Sequence, residues 1–329
     1  MPVVACSSGA TPTRFTEVTD LMADSAHLIS ADFERDWTDF MRSWLLEFGF
    51  PAAATLPREE VSFSYWEICH RMPHPRPRKV VCARTFTCPE SYAKALRGLE
   101  SAVVAGTPLL SYMSRSIAQY DSRDGLLYDW NIYHFHLGTV FDSARFRNRT
   151  GPVLFAYVTS SQFCELKVGD HGDWADAALL ETVIADWPEL LEKFRIGCAV
   201  GLETTFSPDE RMKLRKAGVT APVMLSNGGV YVPPGGGVST SGHSMTVTMD
   251  SDRYFMIVRR LQQHVTDNAA HYLSCTGSRL EPAVGATLHR VSLTLAEDGF
   301  RLRNEETGAE VLLYQTGASE TSAFAGKAQ

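Results

Sequence analysis

The sequence predicts an α+β protein with a helical N-terminal region, a small antiparallel sheet at the centre and a β-rich C-terminal region. Three observations support this prediction. Apolar residues recur every three or four positions through residues 16–48, as on one face of a helix. Three short strand-like runs follow one another over residues 133–168. Residues 221–250 then mix β-branched residues with glycine and proline, a composition typical of strands and turns.

The length and composition of the chain restrict its organisation and its class. A length of 329 residues suits two or three compact units. We expect a mainly helical region over residues 1–120, a central α+β unit over 121–200 and a β-rich region with one long helix over 201–329. No apolar run approaches the roughly 18 residues that span a bilayer, and no secretory signal begins the chain. Seven scattered cysteines without a C-x-x-C pair argue against disulfides and a cysteine zinc site. We therefore expect a cytoplasmic protein with no membrane partner.

The N-terminal region is predicted to alternate helices with strands. Besides the helix over residues 16–48, helical spacing indicates segments 90–105 and 109–120. Residues 61–69 alternate in the manner of a strand, and residues 79–87 form a second strand-like run after several prolines.

The later elements carry clearer start and stop signals. The three central strands are followed by an amphipathic helix over residues 175–194, which Pro188 kinks or divides. Ser207 and Pro208 mark the start of a short helix, and Asn227-Gly228 marks a hairpin turn. A long helix over residues 252–273 precedes two or three closing strands.

The concentrated chemistry of the chain lies between residues 121 and 174. His134 and His136 alternate on one predicted strand and therefore project from the same face, with Cβ atoms about 6.5–7 Å apart. His171 follows the third strand, within D-H-G-D. Arg145, Arg147 and Arg149 alternate between the first and second strands. Histidines and arginines interleaved with strands predict a site for an anionic substrate.

These residues support three hypotheses. In the first, His134 and His136 act as general base and acid, Arg149 and Arg147 hold a phosphate, and His171 assists. This chemistry suits an endoribonuclease that cleaves RNA through its 2′-hydroxyl and needs no cofactor. In the second, His134, His136 and His171 bind zinc or another divalent metal in a hydrolase. In the third, the histidines are structural and the protein is a non-catalytic binding module.

Further charged residues complete the candidate site. Arg78 and Lys79 belong to a basic stretch that is interpreted either as a surface strand or as a set of phosphate contacts. In the second interpretation, Arg145 also binds the substrate. The net charge of −7 means that any attraction to RNA would be local. Asp121, Asp124 and Asp129 suit a solvated turn and helix cap, with Asp129 orienting a histidine as the alternative.

The glycine-rich segment 235–244 is interpreted as a flexible loop, because it lacks the endings of a P-loop and of a nucleophile elbow. His243 and Ser244 would matter only if they reached the central cluster. Trp174 is interpreted as a core residue, with base stacking as the alternative.

The order of these elements resembles that of the small bacterial toxin ribonucleases of the RelE and HigB type. The strand Y-H-F-H-L at 133–137 is similar to the strand that bears their catalytic groups, Arg149 leads into the second strand, and His171 follows the third. The resemblance implies a compact α+β fold and metal-independent cleavage of RNA. RNA and an antitoxin or other protein are the candidate partners. The phrase D-W-x-I-x-H-x-H-L-G, which begins at Asp129, is also similar to uncharacterised bacterial proteins and implies no function.

Overall fold

The fold is taken from a computed structural model, which describes residues 27–119, 122–142, 145–281 and 286–316, without the side chains of Ala118 and His171. The α-helices within these ranges are α1 (Phe33–Phe48), α2 (Arg58–Arg71), α3 (Glu90–Ala105), α4 (Gly125–Trp130), α5 (Ala178–Asp186), α6 (Pro188–Leu191), α7 (Pro208–Lys216), α8 (Met245–Asp267) and α9 (Ala269–Cys275). The strands are β1 (His27–Ser30), β2 (Lys79–Cys82), β3 (Ile132–His136), β4 (Val153–Val158), β5 (Gln162–Gly169), β6 (Val223–Met224), β7 (Val230–Tyr231), β8 (Thr287–Ala296), β9 (Gly299–Asn304) and β10 (Glu310–Gln315). The α+β class is thereby confirmed, with N-terminal helices, small sheets and a strand-rich C-terminal region.

The chain divides into two compact units. One, the terminal unit, comprises the described residues up to Ser43 and from Arg253 onward, and the other, the central unit, comprises the described residues from Trp44 to Asp252. The terminal unit joins segments that the sequence analysis assigned to separate regions, because β1 pairs in parallel with β8.

The terminal unit is built on a four-stranded sheet in the order β1-β8-β9-β10. The last three strands form an antiparallel meander, which confirms the predicted closing strands, with turns at Asp298-Gly299 and Thr307-Gly308. Trp37 of α1 is 1% exposed and meets the ring of Phe300 edge-on at 5.5 Å. Burial of this aromatic face holds α1 against the sheet.

The central unit contains the sheet that carries the predicted site. Its strand order is β2-β5-β4-β3. The three predicted strands β3, β4 and β5 pair antiparallel in sequence order, and β2 adds a fourth strand in parallel to β5. Phe155, Leu180 and Trp130 are fully buried in the core, which packs the sheet against α4 and α5.

Three predictions for the N-terminal elements are wrong in whole or in part. Residues 61–69, predicted as a strand, lie in α2. This helix buries residues on most of its circumference, including Ser62 and Glu67, so its sequence lacks the one-sided apolar stripe of a surface helix. Residues 109–120, predicted as one helix, instead form two short 3₁₀ turns, Leu110–Tyr112 and Arg115–Ala118. Of the predicted helix over 16–48, residues 27–30 form β1, and residues 16–26 lie outside the described ranges.

Several local signals are confirmed. Ser207 caps α7 in a reciprocal capping box with Glu210, and Pro208 occupies the first helical position. The helical segment after the sheet divides at Trp187, where Pro188 begins α6. The hairpin at Asn227-Gly228 pairs β6 with β7. The long helix begins earlier than predicted, at Met245. No helix in the described ranges is long and apolar enough to cross a membrane.

Candidate active site

A short helix and the strand that follows it place a carboxylate beside His134. Asp124 caps α4, because its Oδ1 accepts a hydrogen bond from the backbone N–H of Leu127 at 3.1 Å. The helix ends at Asn131, whose φ of 56° turns the chain into β3. The second oxygen of Asp124, Oδ2, then lies 3.4 Å from His134 Nδ1. Both side chains are largely buried, at 12% and 7% exposed, so little water screens their interaction.

His134 and Asp124 line a cleft of about 100 Å³ together with arginine and serine residues. Nη1 of Arg71 donates to the Ser122 carbonyl at 3.2 Å, and Nη2 of Arg149 lies 3.4 Å from the Ser114 hydroxyl. The remaining lining residues are Met113, Ser116, Ile117, Arg123 and Trp174. Guanidinium and hydroxyl groups around an imidazole form a site suited to an oxyanion.

The other predicted site residues of this region lie outside that cleft. His136 is only 2% exposed, and its ring centroid is 6.3 Å from that of His134. Arg145 donates to the Phe48 carbonyl and lies over the Phe48 ring. Arg147 lies over the rings of Tyr112 and Phe141, at 4.4 and 4.8 Å. These contacts fasten loops to the central unit and do not place the groups beside His134.

The basic stretch is likewise separate from the cleft. Arg78 is buried and donates to the carbonyls of Thr159 and His74 at 2.7 and 2.9 Å. Burial also lowers the pKa of Arg78. Lys79 is exposed on β2. Asp121 and the side chain of His171 lie outside the described part of the structure.

Asp129, the aspartate proposed to orient a histidine, binds two arginines instead. Its Oδ2 lies 2.9 Å from Arg215 Nε and 3.5 Å from Arg211 Nη1. Arg215 also donates to the backbone carbonyl of Trp174, and its guanidinium lies over the Trp130 ring. This buried cluster fixes the segment that carries Trp174, whose ring centroid is 4.9 Å from that of His134.

A second and larger cleft, of about 780 Å³, adjoins the first. Arg123 and Trp174 line both clefts. The glycine-rich loop 237–242 and the C-terminal end of α7 form its walls. The loop is ordered by backbone hydrogen bonds from Ser239 to His243 and from Gly242 to Ser239.

His243 lies in a separate buried network. Its Nδ1 is 3.2 Å from Glu67 Oε1, and Tyr128 donates its hydroxyl to Glu67 Oε2. Burial alone would raise the pKa of Glu67, but the hydrogen bonds from His243 and Tyr128 outweigh it, and the pKa is lowered. The Phe63 ring stacks on His243 at 4.3 Å. These contacts stabilise the fold around α2, and neither His243 nor Ser244 lines the His134 cleft.

Arg71 was not predicted as a site residue, and Asp124 was predicted only as part of a turn and helix cap. The available signal for Asp124 was its position as an aspartate before an apolar run, which is typical of a helix cap. Among the described residues, no group of three or more His, Cys, Asp or Glu side chains is arranged to hold a metal ion. No family model, curated protein or solved structure matches the chain.

Proposed function

We propose that the His134 cleft is the active site of a metal-independent endoribonuclease. The observation that supports this proposal is the His134–Asp124 pair in one cleft with the guanidinium groups of Arg149 and Arg71. Cleavage of RNA by its own 2′-hydroxyl requires a base for that proton and cations for the charge that develops on phosphorus.

The roles follow from the geometry. Asp124 Oδ2 lies 3.4 Å from Nδ1, and a hydrogen bond formed between these two atoms would hold the imidazole in one orientation, as a carboxylate does in a catalytic triad. Nε2 of His134 would accept the 2′-hydroxyl proton while the 2′-oxygen attacks phosphorus. The bond to the 5′-oxygen breaks, and that oxygen takes a proton from water. Arg149 and Arg71 would bind the non-bridging oxygens, whose negative charge increases in the transition state.

The proposal revises the assignment of roles that was based on the sequence. His134 and Arg149 keep their roles, while Arg71 replaces Arg147 as the second phosphate ligand because it lines the cleft. His136 has no part in the reaction, since it is almost fully buried outside the cleft. Arg149 lies ahead of the second strand, which is one of the features on which the resemblance to the RelE and HigB toxins rests. An antitoxin partner stays a prediction.

The proposal is tested by RNA cleavage in EDTA with purified wild-type protein and the variants His134→Gln and Asp124→Asn. We expect His134→Gln to lower kcat by about 100-fold or more, because general-base catalysis contributes about 10²–10⁴-fold. We expect Asp124→Asn to cost about 10–100-fold, because it removes the group that orients the base. The matched control is His264→Gln, which replaces a histidine on α8 that contacts Asn268 and the ring of Tyr272 and lines neither cleft.

The outcomes discriminate between the hypotheses. Equal cleavage by wild type and His134→Gln would place the activity in another site or another protein. Absence of cleavage by the wild type would refute the ribonuclease. Activity that appears only when zinc or manganese is added would favour the metal-dependent hydrolase.

A further inference from the structure

The proposed reaction uses the small cleft and leaves the larger one without a role. The larger cleft holds about 780 Å³, against about 100 Å³ for the His134 cleft. Because Arg123 and Trp174 line both, a ligand whose phosphate lies beside His134 can extend directly into the larger space.

The walls of the larger cleft combine three kinds of side chain: hydroxyl, apolar or aromatic, and positively charged. Ser239, Thr240 and Ser241 supply hydroxyl groups from the loop. Met212, Val219 and Val238 supply apolar surface, and the indole of Trp174 lies at the junction with the small cleft. Lys216 adds an exposed positive charge at the end of α7. Apolar and aromatic surface with a few polar groups is the usual lining of a small-molecule site, and it matches a flat base attached to a sugar and phosphates.

The walls are also fixed in place. Gly237 has a φ of 80°, and a Cβ there would collide with the side chain of Thr220. The hydroxyl of Thr220 accepts a hydrogen bond from the backbone N–H of Val238 at 3.0 Å, which ties the loop to the segment that follows α7. On the other side, the Asp129–Arg215 pair holds the backbone of Trp174. A cleft with both walls anchored is formed before the ligand arrives, which lowers the entropy cost of binding.

We infer that the larger cleft binds the nucleoside of the ribonucleotide whose phosphate occupies the His134 cleft. This inference rests on the proposed function and adds its substrate class, a nucleotide recognised through base and ribose as well as phosphate. The base stacks on Trp174, the loop hydroxyls face the sugar and base edges, and Lys216 takes a flanking phosphate.

The test measures binding and does not depend on cleavage. Calorimetric titrations in EDTA compare the four ribonucleoside 3′-monophosphates with inorganic phosphate. The proteins are wild type, Val219→Trp, which fills the larger cleft, and Val200→Trp as the matched control. Both valines are exposed, at 48% and 103%, and Val200 does not line the cleft. Thr240→Trp fills the cleft from the opposite wall and serves as a second blocking variant.

We expect the wild type to bind at least one nucleotide about tenfold or more tightly than phosphate, as a preformed site with stacking predicts. Val219→Trp and Thr240→Trp should lose that advantage and keep the affinity for phosphate, while Val200→Trp matches the wild type. Nucleotides that bind no more tightly than phosphate, or blocking variants that bind them as the wild type does, would overturn the inference.

The failure of this inference is distinguishable from failure of the proposed function. His134-dependent cleavage of RNA with unchanged KM in both blocking variants would refute the nucleoside cleft and leave the ribonuclease standing. The opposite result is that the protein does not cleave RNA but binds nucleotides, and that both blocking variants abolish this binding. That result would support nucleoside binding in the larger cleft and refute the proposed reaction.

Discussion

Glu165 offers a sharp test of the electrostatics of the central unit. It lies on β5 and is 0% exposed. The Cys82 thiol donates to its Oε2 at 3.2 Å, and its Oε1 has no hydrogen-bond partner among the described residues. Burial raises the pKa of Glu165 from 4.5 to about 7, and the charge of Glu100 adds to the effect, against the opposing hydrogen bond from Cys82. The informative variant is Glu165→Gln, which has the shape of the protonated acid.

The effect of this variant on stability depends on pH. Below pH 4.5 the carboxyl is protonated in both the folded and the unfolded chain. Between pH 4.5 and about 7 the folded chain keeps a proton that the unfolded chain releases, so the free energy of unfolding falls as pH rises. A difference between pKa values of 4.5 and about 7 corresponds to about 3 kcal/mol at higher pH. Glu165→Gln has no carboxyl to ionise, so its free energy of unfolding does not fall in this way as pH rises.

Urea denaturation at about pH 4, pH 6 and pH 8 measures the difference. We expect Glu165→Gln to be more stable than the wild type by about 3 kcal/mol at the highest pH, and similar to it at the lowest. The control is Glu47→Gln, which replaces an exposed glutamate on α1 and should change stability by less than about 0.5 kcal/mol at every pH. A difference that does not vary with pH, or a Glu165→Gln protein that is less stable at the highest pH, would refute this account of the buried carboxyl.

Two further pairs of variants test the supports of the site by urea denaturation. Asp129→Asn should lower the free energy of unfolding by about 3 kcal/mol, because two buried arginines lose their carboxylate while Arg211 keeps its bonds to two carbonyls. Asp142→Asn, which breaks an exposed pair with Arg115, should cost less than about 1 kcal/mol, and equal losses would contradict the role of burial. Gly237→Ala should cost about 1–3 kcal/mol more than Gly242→Ala, because both have φ near 80° but only Gly237 lies against Thr220. Similar losses for the two glycine variants would mean that Thr220 moves aside.

The parts of the fold that could be predicted from the sequence are those with strong local patterns. The meander β3-β4-β5 has short apolar runs separated by turns, and the α7 capping box and the β6–β7 hairpin each depend on residues within one turn. The helix α2 could not be recognised in this way, because its burial on most sides removes the period of a surface helix. The pairing of β1 with β8 could not be foreseen either, since it joins residues that are distant in sequence.

The same reasons explain which site residues were found. His134 and Arg149 stand out through their spacing around predicted strands. Arg71 lies in the last turn of α2, so an incorrect strand assignment left its position undefined. The pairing of Asp124 with His134 depends on how the cap of α4 is oriented towards β3. The turn at Asn131 sets that orientation, and the composition of the chain does not reveal it.

The alternation of His134 and His136 was informative about the strand and misleading about the chemistry. All five residues of β3 are buried, so both faces of the strand are covered and a shared face does not imply shared access to a ligand. The side chains that surround each histidine therefore decide what it can do: His134 has Asp124, Trp174 and three arginines around its cleft, whereas His136 lines no part of it. A variant of His136 would change packing, and a loss of activity in it could not be assigned to proton transfer. The pair that tests the chemistry is His134 with Asp124, because their effects should overlap if one orients the other and should add if they act independently.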